Sequence, residues 1–246
     1  MKVLFVGDVH NHYYMFDDVE RLDKEYNFDR IIFLGDYVDD WNTTNKESIE
    51  TLNKVFALKN SNPDKYTFCI GNHELSYMGY PCSGHKYELG EVVEGLLRDN
   101  INLLDFYAEV LLGNKIFICT HSGITNGYAI NELDRYGEYI EVLKEMNKDK
   151  RKYLPLLTHC SYFRGGNSLY SSFVWADKRE MFSILESGEE LVIPHQIVGH
   201  SPVKTATGIN HNNVWFLDTH STYNDGSDFG DKSYLIWDEV EFKIVY

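Results

Sequence analysis

Three short apolar runs, each closing on a glycine and a polar residue, constrain the fold of this chain more than any other feature. Residues 2–6 (KVLFV) end at Gly7-Asp8, residues 30–34 (RIIFL) at Gly35-Asp36, and residues 66–70 (YTFCI) at Gly71-Asn72. Runs this short and rich in Val, Ile and Phe read as buried strands. Between the first two, residues 13–25 carry Tyr14, Phe16, Val19 and Leu22 at helical spacing; between the second and third, residues 45–59 carry Ile49, Leu52, Val55, Phe56 and Leu58. Asn42-Thr43-Thr44-Asn45 offers caps for the second of these helices. Strand and helix alternating in this way predict an α/β fold with neighbouring parallel strands. In open α/β sheets ligands bind beyond the carboxyl ends of the strands. Asp8, Asp36 and Asn72 all fall at such ends.

The second half has a different rhythm. Residues 109–112 and 115–120 predict a hairpin turning at Gly113-Asn114. The charged stretch 131–152 has a helical pattern and reads as one surface helix. Short strand-like runs at 196–198, 214–217, 234–237 and 241–246 predict a second, mixed or antiparallel sheet, and the Gly- and Asp-rich tract 225–231 reads as a loop. Polar residues with chemical potential recur from position 8 to position 200, so a single domain over residues 1–246 is expected. A chain of 246 residues that is 43% apolar can fill the core of such a domain.

The formal net charge of −15 argues against duplex DNA or an anionic membrane as a partner, because both require a positive footprint. The four cysteines, Cys69, Cys82, Cys119 and Cys160, form no C-x-x-C pair, and Cys69 and Cys119 sit inside apolar runs, so reduced core thiols are expected. The apolar run before Asp8 is too short for a signal peptide, and no run of about 18 apolar residues predicts a membrane span. A cytoplasmic protein is expected.

The strand-end residues continue past the first three. The set is Asp8-Val9-His10, Gly35-Asp36-Tyr37-Val38-Asp39, Gly71-Asn72-His73-Glu74, Thr120-His121-Ser122-Gly123 and Gly199-His200-Ser201-Pro202. If residues 8–10 are extended, Asp8 and His10 point the same way and grip one ion. Mixed carboxylate, amide and imidazole donors suit Mn, Fe or Zn better than an all-oxygen Ca or Mg cage. A set this large can hold two ions bridged by one carboxylate. Two ions about 3.5–4 Å apart clamp a phosphate and activate water, and they supply locally the positive charge that a chain of −15 lacks. Each piece alone is ordinary, since a Gly-Asp pair is usually a turn and a lone strand-end histidine is usually structural. Five pieces, each closing an apolar run, point to a metal site.

These pieces, in this order, resemble the motif series of the calcineurin-like metallophosphoesterases, most closely the phosphoprotein phosphatase branch and its small bacterial and phage members; diadenosine tetraphosphatases are also similar. The matching pieces span residues 7–203, and Trp215-Phe216-Leu217-Asp218-Thr219 resembles the family's late strand. The resemblance implies a four-layer fold, a β-sandwich of two mixed sheets flanked by helices. It implies that Asp8 and His10 bind one metal, Asp36 bridges two, and Asn72, His121 and His200 complete the second. It makes His73 the general acid and Asp39 the carboxylate that orients it, with a metal-bound hydroxide as nucleophile. The implied cofactor is a pair of divalent ions, Mn first, with Fe or Zn as alternatives.

The departures bear on substrate. Asp40 and Trp41 stand where an arginine and its successor usually follow the second motif, and Ile70 stands where an arginine usually precedes Gly-Asn-His-Glu. Asn11 replaces the glycine after His10, and the late Asp-x-Gly is Asp218-Thr219-His220. A phosphate-binding arginine must then come from elsewhere. Arg164, before Gly165-Gly166, is the first candidate for bidentate contact, and Arg179, after the segment Val174-Trp175-Ala176-Asp177, is the second. Tyr37 and Trp41 are candidate stacking surfaces for a substrate ring. His12 and His220 are weaker candidates for the site; His85, His159, His195 and His211 read as surface or supporting residues.

The expected activity is hydrolysis of a phosphate monoester on a phosphoprotein (a serine/threonine phosphatase), a nucleotide or a small phosphorylated compound. The alternative is a nucleotide phosphodiesterase or dinucleoside polyphosphate hydrolase. A catalytically silent metal-binding module is a third possibility, opposed by the full donor set. No G-x-S-x-G elbow and no phosphate-binding G-x-x-x-x-G-K-[ST] loop is present.

Overall fold

The computed structural model describes residues 1–80 and 82–246. Among these described residues, ten strands form two mixed sheets of five. The first has the order β10-β9-β1-β2-β3, with β1 Val3–Val6, β2 Arg30–Phe33, β3 Tyr66–Phe68, β9 Tyr234–Trp237 and β10 Phe242–Val245. Strands β1, β2 and β3 are parallel, and β9 and β10 add antiparallel at one side. The second sheet has the order β4-β5-β6-β8-β7, with β4 Ala108–Leu112, β5 Lys115–Thr120, β6 Gln196–Val198, β7 Thr207–Ile209 and β8 Val214–Phe216. Here β5, β6 and β8 are parallel, and β4 and β7 are the antiparallel edges. The parallel βαβ half, the hairpin and the mixed character of the second sheet follow the sequence reading. The runs 234–237 and 241–246, expected in that second sheet, are corrected: they form β9 and β10, and β9 pairs antiparallel with β1 in the first sheet, a pairing between chain ends that local pattern does not encode.

Alternation along the strands builds the layers. In β1, Val3 and Phe5 join Ile32, Leu34 and Leu235 in a core shared with Val110, Phe117, Cys119, Ile197 and Trp215 of the other sheet. The intervening Leu4 and Val6 face the helices, in a cluster with Phe16, Val19 and Leu22 of α1 (Tyr14–Tyr26) and Leu52, Val55 and Phe56 of α2 (Asn45–Ser61). Strands covered on both faces read as continuous apolar runs rather than alternating ones, as residues 2–6 and 30–34 do. On the far face of the second sheet, Met181 from the helix Lys178–Glu186 packs on Val198, Val214 and Phe216. The result is helices, sheet, sheet, helix. Phe33 stacks on Phe68 with ring centroids 4.7 Å apart, a pair that adds about 0.5–1.5 kcal/mol to its burial.

Helix α2 starts where its polar leader predicted. Thr44 is the N-cap, and the Glu47 carboxylate accepts from the Thr44 backbone N–H at 3.0 Å. The expected single helix over 131–152 is corrected. The chain there runs through a π turn (Ala129–Leu133), a 3-10 turn (Asp134–Tyr136), an α-helix (Tyr139–Lys148) and a short helix (Lys150–Tyr153). Gly137, at φ 135°, breaks the run because no side chain tolerates that angle. The helical spacing of the charges concealed the break. All four cysteines are free thiols, with Cys69 and Cys119 buried. Among the described residues, no helix is long and apolar enough to cross a membrane.

Candidate metal centre

The parallel strands of both sheets direct their carboxyl ends to one edge of the sandwich, and the loops that leave them meet there. Asp8 follows β1, Asp36 follows β2, His121 follows β5 directly, His200 follows β6, and Asp218 follows β8. Asn72 opens α3 (Asn72–Ser76) beyond β3. Several of these residues adopt the left-handed region: φ is 42° at His10, 52° at Asp36, 62° at Asp39 and 62° at His200. Non-glycine residues visit this region rarely, and clusters of them mark sites whose surroundings impose the geometry. Asn11 also lies there, at φ 62°, which explains how it can replace a glycine.

The extended-segment argument for Asp8 and His10 is corrected. His10 is part of a tight turn in which the backbone N–H groups of Val9 and His10 donate to Asp36 O at 3.0 and 2.7 Å. His10 Nδ1 lies 2.6 Å from Asp39 O. A carbonyl only accepts, so the proton is on Nδ1 and the Nε2 lone pair is free. That Nε2 faces Asp8 Oδ2 at 3.8 Å and Asp36 Oδ2 at 3.7 Å. His121 repeats the device. Its Nδ1 donates to Leu34 O at 2.9 Å, which leaves Nε2 facing Asn72 Oδ1 at 2.9 Å, His200 Nδ1 at 3.1 Å and Asp36 Oδ2 at 3.2 Å.

This convergence tests whether the residues suit a cation. Three other lone-pair atoms crowd one imidazole nitrogen, and a single proton can satisfy only one of them. Among the described residues His200 Nε2, which is buried, has no hydrogen-bond partner, so the ring's orientation is not explained by a hydrogen bond at that end. Asp8, Asp36 and Asp218 are all buried together. Burial and the Asp218 charge push Asp8 up to about 8, and burial raises Asp218 too. Burial opposes ionisation of Asp36, but His121 and His73 hold it well below the usual carboxylate range. Burial would lower His121, yet the charges of Asp36 and Asp8 push it up to about 9. A positive charge is required among these groups, as a proton or as a metal ion. The donors fall into two groups, His10 with Asp36 and His73, and Asp36 with His121 and His200. Asp36 belongs to both, which is the arrangement a bridging carboxylate needs.

His73 donates from Nδ1 to Asp39 Oδ2 at 3.0 Å. Burial disfavours its charge, but Asp36 and the Asp39 hydrogen bond raise it well above the ordinary histidine range. These contacts favour the protonated ring, with its Nδ1–H fixed on Asp39. The Tyr77 hydroxyl in turn sits 2.5 Å from Asp39 Oδ1 and 2.7 Å from Asn45 Oδ1. Two glycines are needed for room. A Cβ on Gly71 would lie 2.0 Å from Asp36 Oδ1, and one on Gly199 would lie 2.1 Å from Asp8 Oδ1.

Sequence reasoning overlooked three supporting groups. The buried Glu74 carboxylate accepts backbone N–H groups of Asp36, Gly71 and Tyr37 at 3.0, 2.8 and 2.7 Å, which ties the second and third motifs together. Tyr77 had no signal beyond its helical position. Asp218 did have one, since it closes the apolar run of β8 as Asp8 and Asp36 close theirs, and it lines the same cavity.

The site opens into a cavity of about 540 Å³. Asp8, His10, Asp36, Asn72, His73 and His200 reach its surface, and Asp39 and Arg164 do as well; His121 is fully buried beneath them. Arg164 donates from Nη2 to His200 O at 3.2 Å and to Ser201 Oγ at 3.0 Å, and its Nε pairs with Asp177 Oδ2 at 2.9 Å. Arg179 is not among the residues lining the cavity. Its guanidinium is committed to Asp177 Oδ1 at 2.8 Å and Phe163 O at 2.9 Å, so the expectation of a second phosphate-binding arginine there is corrected. Tyr37 is also corrected: it is fully buried, and its hydroxyl donates to Cys69 O at 2.7 Å. Trp41 lies on the cavity wall, as does His85, expected as a surface or supporting residue. His12 pairs with Asp40 Oδ2 at 3.3 Å, and His220 is buried against Tyr234; neither belongs to the donor groups.

The family model of the calcineurin-like phosphoesterases matches residues 1–204. Among solved structures, the chain is similar to a cold-active protein-tyrosine phosphatase of a psychrophile Shewanella species, with 15% identity and a TM-score of 0.55 over 100% of this chain and 80% of that one. A further structure of a cold-active protein tyrosine phosphatase matches with 16% identity and a TM-score of 0.56, over 99% of this chain and 78% of the other. At such identities the likeness is one of fold.

Proposed function

The chain belongs to the calcineurin-like phosphoesterase family, and from that premise we propose that it hydrolyses a phosphate monoester at a centre holding two divalent ions. One observation carries the reading: Asn72 Oδ1, His200 Nδ1 and Asp36 Oδ2 crowd His121 Nε2 at 2.9, 3.1 and 3.2 Å, and Asp36 also belongs to the donor group around His10. On this reading Asp36, Asn72, His121 and His200 hold one ion, and Asp8, His10 and Asp36 the other. The mixed donors suit Mn, with Fe or Zn as alternatives. When bound, such a pair polarises the phosphoryl group and makes water nucleophilic at neutral pH.

The remaining work falls to the protein's own groups. Asp39 keeps the His73 imidazole charged and aimed, and His73 gives its proton to the leaving oxygen. Arg164, already oriented by Asp177 and His200 O, offers its cation to the phosphate oxygens. A phosphorylated small molecule, nucleotide or phosphoprotein fits this chemistry, and the two solved neighbours are themselves named as protein-tyrosine phosphatases.

The test is turnover of an aryl and an alkyl phosphate with Mn present, beside Asp8→Asn and, read on the alkyl ester, His73→Ala. Full activity in both variants removes the mechanism. A second reading, a phosphodiester substrate rather than a dinucleoside polyphosphate with a charge on every phosphate, is favoured by one observation. Arg164 is the only arginine lining the cavity among the described residues, and a diester carries one negative charge where a monoester carries up to two. Comparing monoester with diester turnover separates the readings.

A further inference from the structure

We propose that Trp41 forms a subsite for the leaving group, and that the substrates are phosphate esters whose leaving group bears a planar ring; this rests on the phosphoesterase reading above. The first argument is position. Trp41 lies two residues after Asp39, the partner of His73, and Trp41, Asp39 and His73 line the same cavity. The acid must reach the leaving oxygen, so the group attached to that oxygen departs along this wall.

The second argument is availability. Trp175, Trp215 and Trp237 each pack against a neighbouring ring. Trp41 has no ring neighbour among the described residues and is 55% exposed. An indole left bare at the edge of a cavity offers a flat apolar face to whatever enters.

The third argument is that the turn carrying Trp41 is held from several sides. The Trp41 backbone N–H and the Thr222 hydroxyl both donate to Asp40 Oδ1 at 2.8 Å, and His12 Nε2 sits 3.3 Å from Asp40 Oδ2. The Asp40 N–H donates to Thr43 Oγ1 at 3.2 Å. Lys86 Nζ donates to the carbonyls of both Asp40 and Thr43. Burial would raise Asp40, but its bonds to His12, Thr222 and the Trp41 N–H hold it well below the usual carboxylate range. Asp40 is therefore an anchor for the turn. What the anchored turn presents outward is the indole. A surface fixed before binding loses little freedom when it binds.

All these anchors reach Trp41 through the backbone, so Trp41→Ala removes the ring and leaves the turn its hydrogen bonds. The experiment measures kcat/KM, with Mn, for naphthyl phosphate, a phosphotyrosine peptide and a nucleoside monophosphate, each divided by the value for glycerol phosphate. Trp41→Ala is expected to lower at least one of these ratios about 2- to 10-fold, the scale of one lost aromatic pair, and Trp41→Phe to keep most of it. The ratio that falls furthest identifies the source of the ring. Ratios unchanged in Trp41→Ala for all three substrates overturn the subsite. Absence of any hydrolysis by the unaltered protein defeats the phosphoesterase reading instead.

Discussion

Replacing Glu74 by Gln tests whether the second and third motifs are held together by one buried carboxylate. Oε2 of Glu74 accepts from the N–H groups of Asp36 and Gly71 at 3.0 and 2.8 Å, and Oε1 from those of Tyr37 and Val38 at 2.7 and 3.4 Å. A glutamine keeps one oxygen and turns the other position into an NH₂. Either orientation of the amide sets two backbone donors against a donor, so no flip relieves the mismatch. The side chain is fully buried, and water cannot take over. Each buried donor left unsatisfied costs about 1–3 kcal/mol, so the variant should lose about 2–6 kcal/mol of stability. Burial and the Asp36 charge push Glu74 up to about 7, so the comparison belongs at pH 8, where the carboxylate is mostly ionised. Urea unfolding followed by circular dichroism gives the midpoint and slope. Because Asp36 and Gly71 would shift with their N–H groups, Mn affinity measured by calorimetry should fall as well. A loss below about 1 kcal/mol with unchanged Mn affinity would refute the reasoning.

Three further outcomes are expected. Protein stripped of metal by chelation should lose thermal stability as pH rises from about 6.5 to 9. Glu74, Asp8 and His121 are raised to about 7, 8 and 9, so each binds its proton more tightly folded than unfolded, and that advantage is lost as pH passes the folded value. Mn displaces the same protons and should bind more tightly over the same window; a melting temperature flat from pH 6.5 to 9 contradicts this. His73→Ala should lower kcat about 10²–10⁴-fold for alkyl phosphates and much less for esters of acidic phenols, whose leaving oxygens need no proton; an equal loss across leaving groups argues against an acid role. Gly199→Ala drives a Cβ to 2.1 Å from Asp8 Oδ1, so its Mn content by elemental analysis should fall below that of the unaltered protein, while retention of full metal content would show that Asp8 is not a ligand.

Much of the fold was legible from the chain because its signals are local. A buried strand declares itself by a short apolar run, a helix by spacing, and a strand end by a glycine and a polar residue. The same signals put Asp8, His10, Asp36, Asn72, His121 and His200 at strand ends, and the six do meet at one edge of the sandwich. Where local signals conflicted, they misled. The helical charge pattern at 131–152 hid the break at Gly137, and the extended reading of residues 8–10 missed a turn held by Asp36 O.

Tertiary structure decided what depends on neighbours distant in sequence. Tyr37 and Trp41 stand four residues apart and read alike, yet one is sealed in the core by Cys69 O and the other is left bare by an anchored turn. Arg164 and Arg179 both pair with Asp177, but only Arg164 lines the cavity. Asp218 meets Asp8 because β8 lies beside β6 in one sheet while β1 lies in the other, and no spacing in the chain encodes that pairing. Which residues stand at strand ends can be read from the chain alone, since that follows from periodicity and from glycine. Which strand ends face one another follows from sheet order and packing, and that alone brought six scattered donors, the His73–Asp39 pair and an exposed indole together around one cavity.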